Sequence, residues 1–363
     1  MNTWGNNLKL SIFGESHGGG IGIVIDGLPS GISLDIEKIS DEMRRRAPGK
    51  DNISTSRREE DNVEILSGFF DEKTTGTPLC GIIRNTNTIS KHYEKDLIRP
   101  GHADFTGFMK YGESHDYRGG GHFSGRITAP LVFAGAIAKQ VLSLYNVYVG
   151  AHIYRINDVA DEKFNPISVS KNDIELITKK DFPVIDDGKT EQMKAKILEA
   201  KENLNSVGGI VECAVIGMPV GKGAPFFGSV ESRLSSMLFS VPAVKGVQFG
   251  AGFDFAGMFG DEANDEFYME GKDVKTFTNN NAGINGGITN GMPIIMQAVL
   301  KPTPSIAQKQ RTVDISKMEN ASIEIHGRHD PCIVHRGAVV IENAVALAIS
   351  VSYTHLRAHE TDQ

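Results

Sequence analysis

The 363-residue chain is poor in cysteine: Cys80, Cys213 and Cys332 are its only three, and they are widely spaced. An odd, scattered set builds neither a disulfide framework nor a paired CxxC metal knuckle, so reduced, mostly buried thiols in a cytosolic protein are expected. Basic charge is not in excess either. The net charge is -7 and the pI about 5.9, which argues against the basic footprint of a general nucleic-acid binder. No run of about 18 apolar residues occurs, so no membrane span is expected. The opening stretch MNTWGNNLKLSIFGESHGGG lacks a charged region followed by a long apolar run, so no signal peptide is expected. Wholesale disorder is not indicated, because 40% of residues are hydrophobic and 23% charged.

Glycine, in contrast, is abundant, with 40 residues against roughly 7% in average usage. Such a chain has many tight turns or many close backbone approaches to a ligand. Within residues 8–26, LKLSIFG and IGIVIDG read as strands, followed by a DGLPSG turn. SLDIEKISDEMRRR reads as an amphipathic helix with Ile36, Ile39 and Met43 on one face and Ser33 or Asp35 as its cap. Residues 47–62 read as a mobile loop, VEILSGFF and TPLCGIIRN as a strand pair, and 125–146 as a buried helix. Residues 156–190 are polar with weak signals and read as a variable insertion, EQMKAKILEAKENLN as a helix, and SVGGIVECAVIGMPVG as the start of a new strand-turn unit.

An internal echo runs through this series. GIVIDGLPSG precedes a helix and TTGTPLCGII follows; later GIVECAVIGMPVG precedes SVESRLSSMLFSV and ITNGMPIIMQAV follows. The shared words, G-x-P-x-G and then a G-x-P that opens a strand, suggest two copies of one unit packed about a pseudo-two-fold. The expectation is one intertwined domain over residues 1–350, not a doubly wound nucleotide-binding sheet. The helix pattern AVVIENAVALAIS then stops without a cap signal, and the last residues, 351–363, resemble translated adapter sequence and read as a non-native tail. His355 and His359 therefore carry no weight as a metal pair.

Five clusters could carry chemistry. GESHGGG sets His17 beside Ser16 on closely approachable backbone, where an imidazole can act as a general acid. Arg44, Arg45 and Arg46 end a helix, with Arg57 and Arg58 soon after; guanidinium forks suit phosphate and carboxylate, while pairing with Glu59, Glu60 and Asp61 is the plainer alternative. RPGHADFTGFMKYG carries Arg99, His102 and Asp104, and DYRGGGHFSGRIT carries Arg118, His122, Ser124 and Arg126 around a glycine run before a helix, a suitable phosphate cradle. NAGINGGITNG runs toward LKPTPSI, and HGRHDPC groups Arg328, His329 and Asp330. Neither a P-loop nor a dinucleotide fingerprint is present.

Taken together, GESHG, IDGLPSG, RRRAPG, RREEDNVEILSG, TTGTP, RPGHADFTGFMKYG, DYRGGG, AGAIAK, AVKGV, GFDFAG, NAGINGGI, LKPTPSI and GRHDPC resemble the chorismate synthase family in order and spacing over about residues 8–349. That resemblance implies an α+β fold, a β-α-β sandwich with internal duplication. It also implies a homotetramer, reduced FMN as cofactor, and an anti-1,4-elimination of phosphate from 5-enolpyruvylshikimate-3-phosphate, the flavin lending an electron and taking it back. Some members reduce their own flavin with NADPH. Carried over by position, His17 is the proton donor to the leaving phosphate, His102 protonates the reduced flavin, and Asp330 helps its N5 act as base. Ser16, Arg45, Arg46, Arg99, Arg126 and Arg328 match substrate or phosphate contacts. His122, Phe123, Ser124, Pro242, Ala243, Gly286, Lys301, Pro302, Thr303, Pro304, Ser305 and Arg328 match the flavin site. The chain departs from the commoner pattern at His122-Phe123, at Pro242, and at Asn52, where a second basic residue is usual.

By residue type alone, a transferase acting on a phosphorylated metabolite, an NADPH-consuming flavoprotein, or a metal site built from His17, His102, His122 and Asp330 are also permitted. The arginine-rich surroundings disfavour the last.

Overall fold

A computed structural model describes residues 2–48, 53–54, 60–86, 93–325, 327 and 329–360, the stretch from 352 by backbone only. In chain order the main elements are β1 (Thr3–Trp4), β2 (Lys9–Gly14), β3 (Gly20–Asp26), α1 (Ile36–Arg46), β4 (Val63–Ser67), β5 (Leu79–Arg84), α2 (Asp104–Tyr111) and α3 (Thr128–Ser143). The second half adds β6 (Tyr148–Ile156), β7 (Val159–Ala160), α4 (Lys171–Thr178), α5 (Thr190–Glu202), β8 (Gly209–Ile216), α6 (Val230–Ser240), β9 (Val244–Phe249), β10 (Ile294–Leu300) and α7 (Val334–Glu360).

The strands form two five-stranded antiparallel sheets, ordered β1-β2-β3-β5-β4 and β7-β6-β8-β10-β9. The last four positions of the two orders match one for one, β2 with β6, β3 with β8, β5 with β10 and β4 with β9. The echo in the sequence is therefore a duplication of fold, and its turns repeat atom by atom. Thr74 Oγ1 donates to Pro29 O at 2.6 Å and accepts from Ile32 N at 3.0 Å. Thr289 Oγ1 donates to Pro219 O at 2.6 Å and accepts from Lys222 N at 2.9 Å. Gly27 and Gly217, the first glycines of the two G-x-P-x-G words, both take left-handed φ, 92° and 80°. At each of them a side chain would meet the carbonyl of Asn7 or Asn146 at 2.0 Å.

Between the sheets lies a layer of helices. α3 packs on α7, α1 on α3 and α6 on α7, while α3 faces β3 and β5 and α7 faces β6 and β8. One apolar cluster joins Ile21 and Ile23, Phe133 and Ile137, Ile341 and Leu347, and Val211 and Cys213. Burying such side chains contributes about 1.5–3 kcal/mol each. α3 and α7 cross at Gly135, where a Cβ would lie 2.3 Å from Asn343 Cβ, so no larger residue permits that approach.

Three expectations change. Ile36 does not share the buried face of Ile39 and Met43; it sits in the first turn of α1, 40% exposed, while Asp35 caps the helix through Lys38 N. Residues 156–190 are no loose excursion. Ser170 and Asp173 form a capping box that starts α4, and Phe164 and Ile177 cover Ala214 and Ile295 on the outer face of the second sheet. The last helix does not stop near residue 350 but runs to Glu360. Its Val334–Val351 stretch is long and apolar enough to cross a membrane, yet nearly all of it is buried within the protein as the core helix. Most of the 47–62 loop, with Asn52, Arg57 and Arg58, lies outside the described residues, as does Arg328.

Candidate active site

The glycine run of residues 119–121 is the hub. All three take left-handed φ (60°, 82° and 52°). A methyl group at Gly119 would lie 2.4 Å from His17 Cδ2, and one at Gly120 would lie 2.9 Å from His102 Cε1. Two imidazoles from loops far apart in sequence thus rest on successive residues, where only glycine leaves room for them. Ser16 N donates to Gly121 O at 3.1 Å, fixing the first loop to the hub. Ser16 Oγ is buried and has no partner among the described residues. His17 also stands edge-on to Tyr93, with ring centres 5.3 Å apart.

His102 is oriented by its own loop. Its Nδ1 lies 2.7 Å from Asp104 Oδ1, and Arg99 clamps the same carboxylate through Nε and Nη2, each at 2.7 Å. Burial opposes the Asp104 charge, but hydrogen bonds from His102 and Arg99 outweigh it and hold its pKa well below the usual carboxylate range. The ionised carboxylate is a hydrogen-bond acceptor for Nδ1, and Nε2 is the nitrogen turned toward Gly120. Next to this loop His329 is pushed down to about 4 by burial, then by Arg99, with Asp330 opposing. It is a neutral imidazole at physiological pH.

The second arm is a set of guanidinium groups. Arg46, at the end of α1, is buried and donates to Asp61, to Thr128 Oγ1 at 3.3 Å and to Gly125 O at 3.2 Å. Arg126 is buried too, and donates to the other Asp61 oxygen and to Asn85 Oδ1 at 2.8 Å. Arg336, in the first turn of α7, donates to Asp330. Burial lowers the Arg46 pKa, Asp61 opposes this, and the charges of Arg336 and Arg126 lower it further. Among the described residues, three guanidinium groups therefore face two carboxylates in a buried setting. Such a site favours an anion.

The residues expected at a flavin divide. In the loop Lys301 to Ser305, Lys301 and Pro304 meet the residue before His102: Lys301 Nζ donates to Gly101 O, and Gly101 faces Pro304, while Pro302 faces Gly208 and Thr303 O accepts from Ser206 Oγ at 2.7 Å. Lys301 N donates to Ala243 O at 3.0 Å, which brings Pro242 and Ala243, at the end of α6, to the same edge. Thr303 Oγ1 is buried without a partner among the described residues. Ser124 caps the turn that presents Arg126, and His122 Nδ1 lies 2.8 Å from Gly14 O. Phe123 packs against Gly107 and Tyr111 of α2. Gly286 belongs to a separate hairpin, Ile284–Asn285 with Ile288–Thr289, whose Gly287 packs on Ser229.

Arg45 stands apart from the other expected anion ligands. Its guanidinium is committed to Glu42 and, through both nitrogens, to Glu342 at 2.9 and 3.1 Å, inside the helix layer. Sequence reading missed Arg336 and treated Asp61 only as a surface partner. A signal was present for Arg336: a cation in the first turn of a helix opposes the dipole and implies a compensating anion. Among the described residues no group of three or more His, Cys, Asp or Glu could hold a metal ion.

Comparison with known proteins agrees with this architecture. The family model "Chorismate synthase" matches residues 8–353. A chorismate synthase of Dehalococcoides mccartyi is 43% identical over 351 residues, covering 96% of this chain and 95% of the relative. One from Methanocaldococcus jannaschii is 44% identical over 364 residues, again covering 96% and 95%. A solved chorismate synthase crystal structure superposes with a TM-score of 0.76 at 28% identity, covering 98% of this chain and 93% of that one.

Proposed function

The chain belongs to the chorismate synthase family, and on that premise we propose that reduced FMN is its cofactor and that His17, His102 and Asp330 are its catalytic groups. The reaction is the family's defining one: a carbon-oxygen lyase step that removes phosphate from 5-enolpyruvylshikimate-3-phosphate to give chorismate, the last step of the shikimate pathway. The observation that carries the reading is the seating of His17 and His102 on Gly119 and Gly120, beside the buried guanidinium groups of Arg46 and Arg126.

The residues suit the chemistry. The substrate's phosphate and two carboxylates need several guanidinium groups, and Arg46 and Arg126 supply two of them. Ser16 Oγ is a further buried donor beside His17. His17 would give a proton to the departing phosphate, and the arginines would stabilise the charge that develops there. A flavin fits the edge made by Pro242, Ala243 and the loop Lys301–Ser305, where Thr303 Oγ1 is an orphaned polar atom and Lys301 a cation. Bound reduced FMN would supply a transient electron. His102, its Nδ1 held by Asp104, would turn Nε2 toward the cofactor edge as the atom that handles the proton, and Asp330 would assist removal of the ring proton. His122, Phe123, Ser124 and Gly286 complete the proposed flavin set, and Arg99 and Arg328 the proposed anion set.

We read residues 1–350 as one domain, the assembly as a homotetramer and the location as cytoplasmic. Phe226 and Phe227, 86% and 99% exposed in this chain, support self-association. All three cysteines are free thiols, which suits a reducing compartment. The test is anaerobic turnover of the substrate with and without photoreduced FMN, following phosphate release and chorismate absorbance. Product only with reduced FMN is expected; product without it would remove the cofactor. Replacing photoreduction with NADPH would then test self-reduction.

A further inference from the structure

Arg336 stands where the two arms of the site meet. On one side its guanidinium donates to Asp330, which neighbours His329 and, through it, the Arg99 and His102 loop. On the other side its charge is felt by Arg46. Its Nε is buried with no partner among the described residues. It sits in the first turn of α7, where the helix dipole disfavours a cation and favours the Asp330 carboxylate that precedes the helix. A lysine could not replace this contact, because only a planar fork directs one nitrogen to the carboxylate while presenting another elsewhere.

We propose that Arg336 is a positioning residue for Asp330, fixing the carboxylate at the junction between the anion-binding arm and the His102 arm. The inference rests on the function proposed above. It differs from a substrate contact in what it predicts: Arg336 acts through Asp330, so its loss lowers kcat and leaves substrate affinity nearly unchanged.

The test is a double-mutant cycle with Arg336→Met, Asp330→Asn and the double variant, read by kcat and KM and by calorimetric binding of the substrate to the flavin-free protein. Arg336→Met is expected to lower kcat about 10²-fold, a loss of the size of one directed catalytic interaction, with KM and the calorimetric Kd changed less than about threefold. In the Asp330→Asn background the same substitution should have little further effect, as for residues acting as one unit. Three results overturn the inference: a tenfold rise in KM or Kd with kcat kept, losses that multiply in the double variant, or full activity in Arg336→Met. Should Arg336→Met fail to fold, Arg336→Lys decides: it keeps the charge without the fork, so a kcat loss of about tenfold supports the proposal and full kcat overturns it. A wild-type chain without turnover would count against the proposed reaction. The coupling would then be read from the unfolding midpoints of the four proteins, where independent shifts overturn the inference.

Discussion

Arg45 and Arg46 are neighbours on α1, yet they enter two charge clusters of different design. Arg45, Glu42, Lys139 and Glu342 form a closed set of two cations and two anions, linking α1, α3 and α7. Ala151 N donates to Glu342 at 3.1 Å and Asn343 to Glu42 at 2.8 Å, so the set also ties the helix layer to the second sheet. Among the described residues, Arg46, Arg126 and Arg336 against Asp61 and Asp330 form a set of three cations and two anions, with a buried donor at Arg336 Nε that has no partner there. A balanced network uses its donors internally and holds structure. An unbalanced one keeps attraction in reserve for an anion.

That contrast is open to test, beginning with its largest consequence. Arg46→Met should lower turnover about 10²–10³-fold, the usual effect of losing one oriented donor at a developing charge, while Asp61 keeps Arg126 and the fold persists. His17→Ala and His102→Ala should each lower turnover about 10²–10⁴-fold, again with unchanged unfolding midpoints; full activity in either would remove that residue from the mechanism. Glu342→Gln should do the opposite. It strands Arg45 and Lys139 and should destabilise the protein by about 3–5 kcal/mol, with turnover per folded molecule retained. Equal losses of turnover in Arg46→Met and Glu342→Gln would erase the distinction.

A smaller effect concerns pH. Burial opposes ionisation of Glu42, but the charges of Lys139 and Arg45 outweigh it and hold the carboxyl at about 2, against an ordinary 4.5. A depressed carboxylate contributes its full stability above the ordinary value and loses it as pH falls toward the folded value. Urea midpoints should therefore fall between pH 4.5 and 2, and less steeply in Glu42→Gln. His329 starts uncharged: held near 4, it should show no imidazole titration by NMR between pH 5 and 8. A midpoint near 6.5 would show that burial does not govern it. The smallest effect is expected at the exposed Arg84–Glu64 pair, 3.2 Å apart, where Glu64→Gln should change stability by less than about 1 kcal/mol and less still at high salt.

Much of this was legible in the residues. The G-x-P-x-G words announced a duplication because each needs a left-handed glycine against a fixed carbonyl, a local demand that sequence must meet. Helix α3 was visible from apolar spacing and α1 from its cap. The histidines stood out because glycine crowded around them. Arg45 and Arg46 could not be separated by such signs, since both are arginines at one helix end. Their directions differ by about 100° around the axis; what Arg45 meets is set by α7, some 300 residues later in the chain, and what Arg46 meets by Asp61 and the turn before α3. Arg336 carried a local sign, its place in a first helical turn six residues after Asp330, but its nearness to Arg46 is made only by folding.

The sequence by itself determined the two copies, their turns and the residue types of the site, because turn geometry and apolar periodicity are settled within a few residues. Which arginines close on carboxylates and which keep a donor for an anion was decided only by the tertiary structure, because charge balance is a property of everything packed within a few ångströms, whatever its distance along the chain.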